Sequence, residues 1–397
     1  MTNTENDERL RRWRLVLGGK DADGITVNGG PISLSTDDIA RDEALAAIYD
    51  TDGQGRSAGL GGSAPRVARW LGDIRTYFPS SVVQVMQQDA MDRLGLRHLL
   101  LEPEMLDSVE PDISMVTTLM GLGKAIPEES KDSARKVVRA VTSKLEKQLE
   151  SKTRQAVTGA LNRARRTRRP KPADIDWNRT IAANLGNYLP EFKTIVPERL
   201  VGFARQSTQV DREIILCIDQ SGSMAESIVY SSVFGAVLAS LRSVSTKMVV
   251  FDTEVVDLTD ELDDPVDVLF GVQLGGGTDI NRAIAYCQEL IGTPSDTIFV
   301  LISDLYEGGI EDEMLKRARE LVDSGVTVIA LLALSDSGRP SYDANHAAKL
   351  GALGVPAFAC TPDLFPDMMA AAINKRDLAA WASTNNIVLA SAADLDE

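Results

Sequence analysis

The chain has 397 residues, 44% hydrophobic and 25% charged, with no run of eighteen or more apolar residues, which excludes a disordered, collagenous or membrane composition. Residues 1–209 carry 31 basic and 28 acidic side chains, whereas 210–397 carry 11 and 30, a net near −19. So acidic a back half is a poor nucleic-acid surface and suits a cation or a basic partner.

The N-terminus is polar and lacks the apolar stretch and small-residue cleavage site of a secretory signal, so a cytoplasmic protein is expected. Cys217, Cys287 and Cys360 are far apart in sequence and lie in apolar segments, so they are expected as reduced core residues. With only His98 and His346, neither a His-rich zinc site nor a Ser-His-Asp hydrolase is expected.

In chain order, residues 1–65 mix short helical patterns with turns and end in AGLGGSAP at 58–65. Gly59, Gly61 and Gly62 lack the preceding strand and the following Lys-Ser/Thr of a phosphate loop, which makes a plain loop the expectation. From 67 to 107 apolar residues recur at helical spacing, broken by Pro79 and Pro103. A longer amphipathic helix is predicted over 132–169, with Val137, Val141, Leu145, Leu149, Ala156 and Ala160 on one face. It runs into a basic cluster of Arg163, Arg165, Arg166, Arg168, Arg169 and Lys171, closed by Pro170 and Pro172. A solvated helix end, favoured by the helix dipole, is the plain reading of that cluster, ahead of docking on an acidic protein or on nucleic acid.

Past 211 short apolar runs alternate with amphipathic helices, the pattern of a parallel sheet covered on both faces. Strands are predicted at 214–218, 248–251, 298–302, 326–334 and 355–359, and helices at 225–244, 280–291 and 311–323. The segment 253–258 follows its predecessor too closely for a crossover, so an antiparallel edge hairpin is expected. The predicted organisation is a mainly helical domain over 1–170, a connection over 171–210, and an α/β domain over 211–397 with a Rossmann-like, mainly parallel sheet.

In such sheets the loops at the carboxyl ends of strands converge, and function is sought there. Asp219, Ser221 and Ser223 follow the first predicted strand, Gly275-Gly276-Gly277-Thr278-Asp279 precedes the 280–291 helix, and Ser303-Asp304 follows the 298–302 strand. Asp219, Ser221, Ser223, Thr278 and Asp304 make an all-oxygen set of two carboxylates and three hydroxyls, which suits Mg²⁺, with Mn²⁺ or Ca²⁺ as alternatives. Neutral hydroxyls leave an ion most of its charge, so a further anionic ligand, such as a partner's carboxylate, is expected. The competing reading, in which these residues only cap a helix, does not account for the separate Thr and Asp loops. The acidic turn at Asp263, Asp264 and Asp267 reads as surface; Glu307, near the rim of the oxygen set, reads first as a surface loop residue, with tuning of partner binding as the alternative; and no nucleophile is tied to His346 in the sequence.

Asp219-x-Ser221-x-Ser223, Thr278 and Asp304, in that order, resemble the metal-ion-dependent adhesion site (MIDAS) of von Willebrand factor A (VWA) domains. The strings LCIDQSGSM, QLGGGTDI and LISDLYEGG resemble the bacterial CoxE-like branch, and with RRWRLVLG at 11–18 and GLGGS at 59–63 the similarity extends to YehP-like proteins over most of the chain. The resemblance implies a binding module rather than an enzyme, with Ser221, Ser223 and Thr278 as direct ligands and Asp219 and Asp304 supplying charge directly or through water. A partner Asp or Glu would complete the shell. It also implies a MoxR-type AAA+ ATPase as partner, with the chain as adaptor or co-chaperone. The family often has Gly after the last Asp, whereas Leu305 and Tyr306 stand here. The alternative is a Mg²⁺-dependent phosphoester hydrolase, which would require an Asp nucleophile and a general base that the motifs do not supply.

Overall fold

Parallel strands buried on both faces read as unbroken apolar runs, and five of the runs past residue 211 form strands of one sheet. The strands are β1 (Arg212–Asp219), β2 (Val244–Phe251), β3 (Val255–Asp257), β4 (Thr297–Ile302), β5 (Thr327–Leu334) and β6 (Ala357–Cys360), in the order β6-β5-β4-β1-β2-β3. All neighbours are parallel except β2 and β3, which form the expected edge hairpin. The computed structural model describes residues 10–11, 14–15, 26–27, 30–31, 34–49, 64–93, 96–164, 166–167, 170–203, 212–242, 244–272, 276–334 and 341–390. The chain divides into two compact units, 1–141 and 142–397. Gly59, Gly61, Gly62, Gly275, most of 11–18, and the side chains of His98, Arg163, Arg165, Arg166, Arg168 and Arg169 lie outside the described residues.

The first unit is helical: α1 (Thr36–Tyr49), α2 (Ala64–Tyr77), α3 (Ser80–Arg93), α4 (Ile113–Leu122) and the start of α5 (Glu128–Ala164). Its core gathers Ile48, Leu71, Ile74, Met86, Leu100 and Met105. Pro79 separates α2 from α3, as its missing N–H requires. Asp112 caps α4 by accepting from Met115 N at 2.7 Å. The unit boundary falls inside α5, which ends five residues short of its predicted end because Arg166–Thr167 pairs with Gly202–Phe203.

In the second unit, α6 (Trp177–Ala183) precedes the sheet, whose helices are α7 (Ala225–Ala239), α8 (Pro265–Gly271), α9 (Ile280–Leu290), α10 (Glu311–Asp323), α11 (Ala344–Ala352), α12 (Phe365–Ile373) and α13 (Leu378–Thr384). Strand residues alternate faces. Ile215, Cys217, Val249, Phe251, Phe299 and Leu301 pack with Ile280, Ile284, Cys287, Met314, Ala318 and Leu350 from α9, α10 and α11 in one core. All three cysteines are buried and free, as expected, and Cys217 lies against Cys287. On the other face Gly235 lets α7 descend onto the sheet, since a Cβ there would lie 2.6 Å from the Met248 side chain. Phe234 of α7 stacks on Phe365 of α12 with ring centroids 4.3 Å apart. The stretch Gly222–Ala239 is long and apolar enough to cross a bilayer, yet 72% of it is buried within the protein.

β1, β2 and β4 start earlier than predicted, by one to four residues, because polar residues near their starts are paired, whereas β5 and β6 start one and two residues later. Glu213 on β1 accepts from Lys247 Nζ on β2 at 2.7 Å, from Thr297 Oγ1 on β4 at 2.9 Å and from Gly292 N at 3.1 Å, lacing three neighbouring strands at one end. Arg212 pairs with Asp296 at 2.9 Å. The predicted acidic surface turn is partly a helix start, with Asp264 capping α8 by accepting from Val266 N at 2.9 Å.

Burial works to raise the Glu213 carboxyl, but the bonds from Lys247, Gly292 and Thr297 outweigh it and hold the group below its ordinary value. A depressed native pKa contributes stability above the unfolded pKa of about 4.3, and the contribution fades as pH falls through the native value. Glu213→Gln is expected to lower unfolding free energy by about 1–3 kcal/mol at neutral pH, with the gap to the parent chain closing below about pH 4. Urea melts of both proteins at neutral and acid pH check this.

Candidate metal centre

β1 is the hinge of the sheet's topology: β2 lies on one side and β4 on the other, so the loops leaving the carboxyl ends of β1 and β4 part and open a crevice. The register pairs Ile218 with Ile302, so Asp219 and Ser303 emerge side by side and Asp304 follows. The two carboxylates form a buried floor and the hydroxyls of Ser221 and Ser223 lie nearer solvent.

Each floor group is fixed from the opposite loop. Ser303 Oγ donates to Asp219 Oδ2 at 2.8 Å, while Ser221 N donates to Asp219 Oδ1 at 2.8 Å. Ser223 Oγ donates to Asp304 Oδ2 at 2.6 Å and lies 3.1 Å from Ser221 Oγ. Four of the five predicted residues therefore form one connected group. Thr278 reaches the same rim by its backbone: its carbonyl accepts from Gly308 N at 2.7 Å, four residues past Asp304. A side chain at Gly308 would put Cβ 2.8 Å from that carbonyl, so the clamp requires glycine. Asp279 N donates to the Asp252 carbonyl at 2.8 Å, tying the Thr278 loop to the end of β2 as well.

Burial pushes the Asp219 carboxyl up, and the neighbouring Asp304 charge adds to the rise, to about 6. Asp304 Oδ1 is buried and accepts no hydrogen bond. An unsatisfied buried acceptor costs about 1–3 kcal/mol, more when charged. A hard cation is the ligand that would offset that cost, and an all-oxygen set with two carboxylates fits Mg²⁺. Among the described residues no three His, Cys, Asp or Glu side chains converge, so the donor set rests on hydroxyls as well as acids.

Three supporting residues escaped the sequence reading. Ser303, outside the five-residue set, is fully buried and also accepts from Leu305 N at 3.0 Å. Glu307, at the rim, accepts from Ile280 N at 2.7 Å and from Gly309 N at 2.8 Å, so it caps α9 and pins the Thr278 loop, a role its place in a loop does not disclose. Burial raises its pKa, with the Asp279 charge adding to the rise. His346 Nδ1 donates to the Leu305 carbonyl at 2.8 Å, and Asp343 N donates to the Asp304 carbonyl at 2.9 Å, so the start of α11 holds the Asp304 loop from behind. Only the capping position of Asp343 carried a local signal for this.

A model of the family described as VWA domain containing CoxE-like protein matches residues 149–369. The Escherichia coli (strain K12) protein YehP is 35% identical over 361 residues, which cover 89% of this chain and 93% of that protein. Among solved structures, von Willebrand factor type A from Catenulispora acidiphila is 12% identical over 42% of each chain with a TM-score of 0.33. The Deinococcus radiodurans RO (RSR) protein is 13% identical over 85% of this chain and 74% of its own, with a TM-score of 0.31.

Leu305, at the position after the last Asp, has φ +64°, the left-handed conformation a glycine adopts freely. The strain is about 1–2 kcal/mol, and complete burial of the leucine in the sheet core offsets it by about 1.5–3 kcal/mol. Leu305→Ala loses the burial and keeps the strain, whereas Leu305→Gly loses the burial and relieves the strain. The glycine variant is therefore expected to be more stable than the alanine variant by about 1 kcal/mol, the reverse of the usual order. Thermal melts of the two variants test it.

Proposed function

The chain belongs to the CoxE-like family of VWA domain proteins, whose domain is a protein-interaction module, and from that membership we propose that it binds a partner's carboxylate through a Mg²⁺ held at the β1–β4 crevice. The observation that carries the reading is Asp304 Oδ1, a buried carboxylate oxygen without a partner beside a second buried carboxylate. In this reading Ser221, Ser223 and Thr278 supply neutral hydroxyl ligands, and Asp219 and Asp304 supply charge directly or through water. A bound Mg²⁺ would offer a Lewis-acidic charge with room for one more anionic ligand. Ser303 and the backbone N–H of Ser221 hold Asp219 in place, and Glu307 and Gly308 hold the Thr278 loop at the rim. The partner in this proposal is a MoxR-type AAA+ ATPase, with the chain acting in the cytoplasm as adaptor or co-chaperone and not as an enzyme. The family resemblance supports that choice.

Capture of partner proteins from lysate on the full chain in Mg²⁺ and in EDTA tests the reading. Partner retention is expected to fall at least about tenfold in EDTA, and equally in the Asp219→Ala, Ser221→Ala double variant, a loss of about 1.4 kcal/mol or more. Equal capture under all conditions overturns it. So does phosphoester turnover by the purified protein that disappears in Asp304→Ala.

Asp304→Asn separates folding from ion binding. It keeps an acceptor for Ser223 and removes one of two close, buried negative charges. Without metal, the variant is expected to melt at or above the parent's midpoint. Added Mg²⁺ should raise the midpoint of the parent alone, because a ligand stabilises only the fold that binds it. Differential scanning calorimetry with and without Mg²⁺ reads both effects.

A further inference from the structure

Between the long helix α5 and the sheet, residues 170–203 fold around a polar centre. The only buried side chains among its described residues are Thr180 and Asn184. The Asn184 amide makes all four of its hydrogen bonds: it donates to Thr180 O at 2.6 Å and Arg199 O at 2.8 Å, and accepts from Glu198 N at 3.0 Å and Arg199 N at 3.1 Å. Thr180 Oγ1 both accepts from Val201 N and donates to Val201 O, each at 3.0 Å. Gly202 closes the segment against Pro170 and Asp174, where a Cβ would lie 2.3 Å from the Pro170 side chain.

The large apolar side chains of the segment are left at the surface. Trp177, Ile181 and Leu185 recur every four residues along α6 and the turn after it, beside the buried Thr180 and Asn184 and themselves exposed. Tyr188 and Leu189 pair with Thr194–Ile195, with Phe192 in the turn between them and Val196 just beyond. All seven are exposed, from 41% at Leu189 to 73% at Phe192. Seven such residues within twenty, on a scaffold held by its own polar bonds, are the reverse of an ordinary amphipathic segment and mark an interaction surface.

Charge and area select the occupant. The segment carries Lys171, Arg179, Lys193 and Arg199 against Asp174, Asp176, Glu191 and Glu198, a balance of zero in a chain of net −16. A neutral apolar face with both signs interspersed is where two copies of a strongly acidic protein meet with least repulsion. The seven side chains together expose on the order of 700 Å²; Tyr188 and Leu189 face opposite sides of their strand, so one face presents most of that area, near the lower end of what one partner contributes to a specific interface. We infer that residues 177–196 form a self-docking surface that pairs two copies of this chain about a twofold axis. This site is distinct from the metal centre and independent of the proposed function.

Sedimentation velocity of the full chain across the micromolar range, at low and high salt, tests it. A monomer–dimer equilibrium is expected that tightens with salt, because screening weakens repulsion between two acidic bodies while the contact itself is apolar. Phe192→Asp and Leu185→Ser, both at largely exposed positions, are each expected to weaken dimerisation at least about tenfold with unchanged thermal melts. A chain that stays monomeric throughout, a dimer that dissociates with salt, or a dimer that both variants leave intact overturns the inference.

Discussion

Two carboxylates brought out of water on adjacent strand ends set the terms for the rest of the α/β unit. Asp219 and Asp304 repel one another in a desolvated floor, a juxtaposition that folding alone disfavours. The surrounding structure opposes that cost with directed donors: Ser303 and the Ser221 backbone on one acid, and Ser223 on the other. Because each side-chain donor comes from the loop of the opposite strand, the same bonds that steady the acids also hold the β1 and β4 loops together. The second ring of contacts, from Gly308 to the Thr278 carbonyl, from Glu307 to α9 and from His346 to Leu305, extends that hold to α9 and α11.

Much of this was legible from residues alone, and the physical reasons are specific. The interiors of β1, β2, β4 and β5 read as apolar runs because both faces of the sheet are covered. The starts of β1 and β2 did not, since Arg212, Glu213 and Lys247 are polar in sequence and become strand residues only through partners 34 to 84 positions away. The short helix α8 lay under an acidic turn whose Asp264 is its cap. The candidate site residues were visible because a doubly covered sheet leaves its polar groups to the loops at strand ends. Ser303, Glu307 and His346 were not, because their roles depend on bonds across the fold. The backbone angle at Leu305 was also hidden, since a leucine gives no local sign of a left-handed residue.

Two parts of the second unit distribute their apolar surface differently. The sheet buries its large residues nearly completely, with Phe234, Phe251, Phe299, Phe358 and Phe365 all below 2% exposure. The segment that precedes it inverts this economy, using one asparagine and one threonine as its interior. A polar core of that size specifies a conformation through exact donor and acceptor matching, whereas a larger fold relies on volume. It therefore holds its shape while its apolar side chains remain turned toward solvent.

The bonds across the floor of the crevice also fix when that floor can exist during synthesis. Ser223 and Asp304 are 81 residues apart, and Asp219 and Ser303 are 84 apart. Closing a loop of that length is a non-local event that local helix formation does not bring about. A nascent chain that has exposed Asp219, Ser221 and Ser223 still lacks the second acid until β4 and the loop beyond it emerge. The floor of the crevice is thus assembled only as the sheet completes, and no partial chain ending before β4 can hold both acids together.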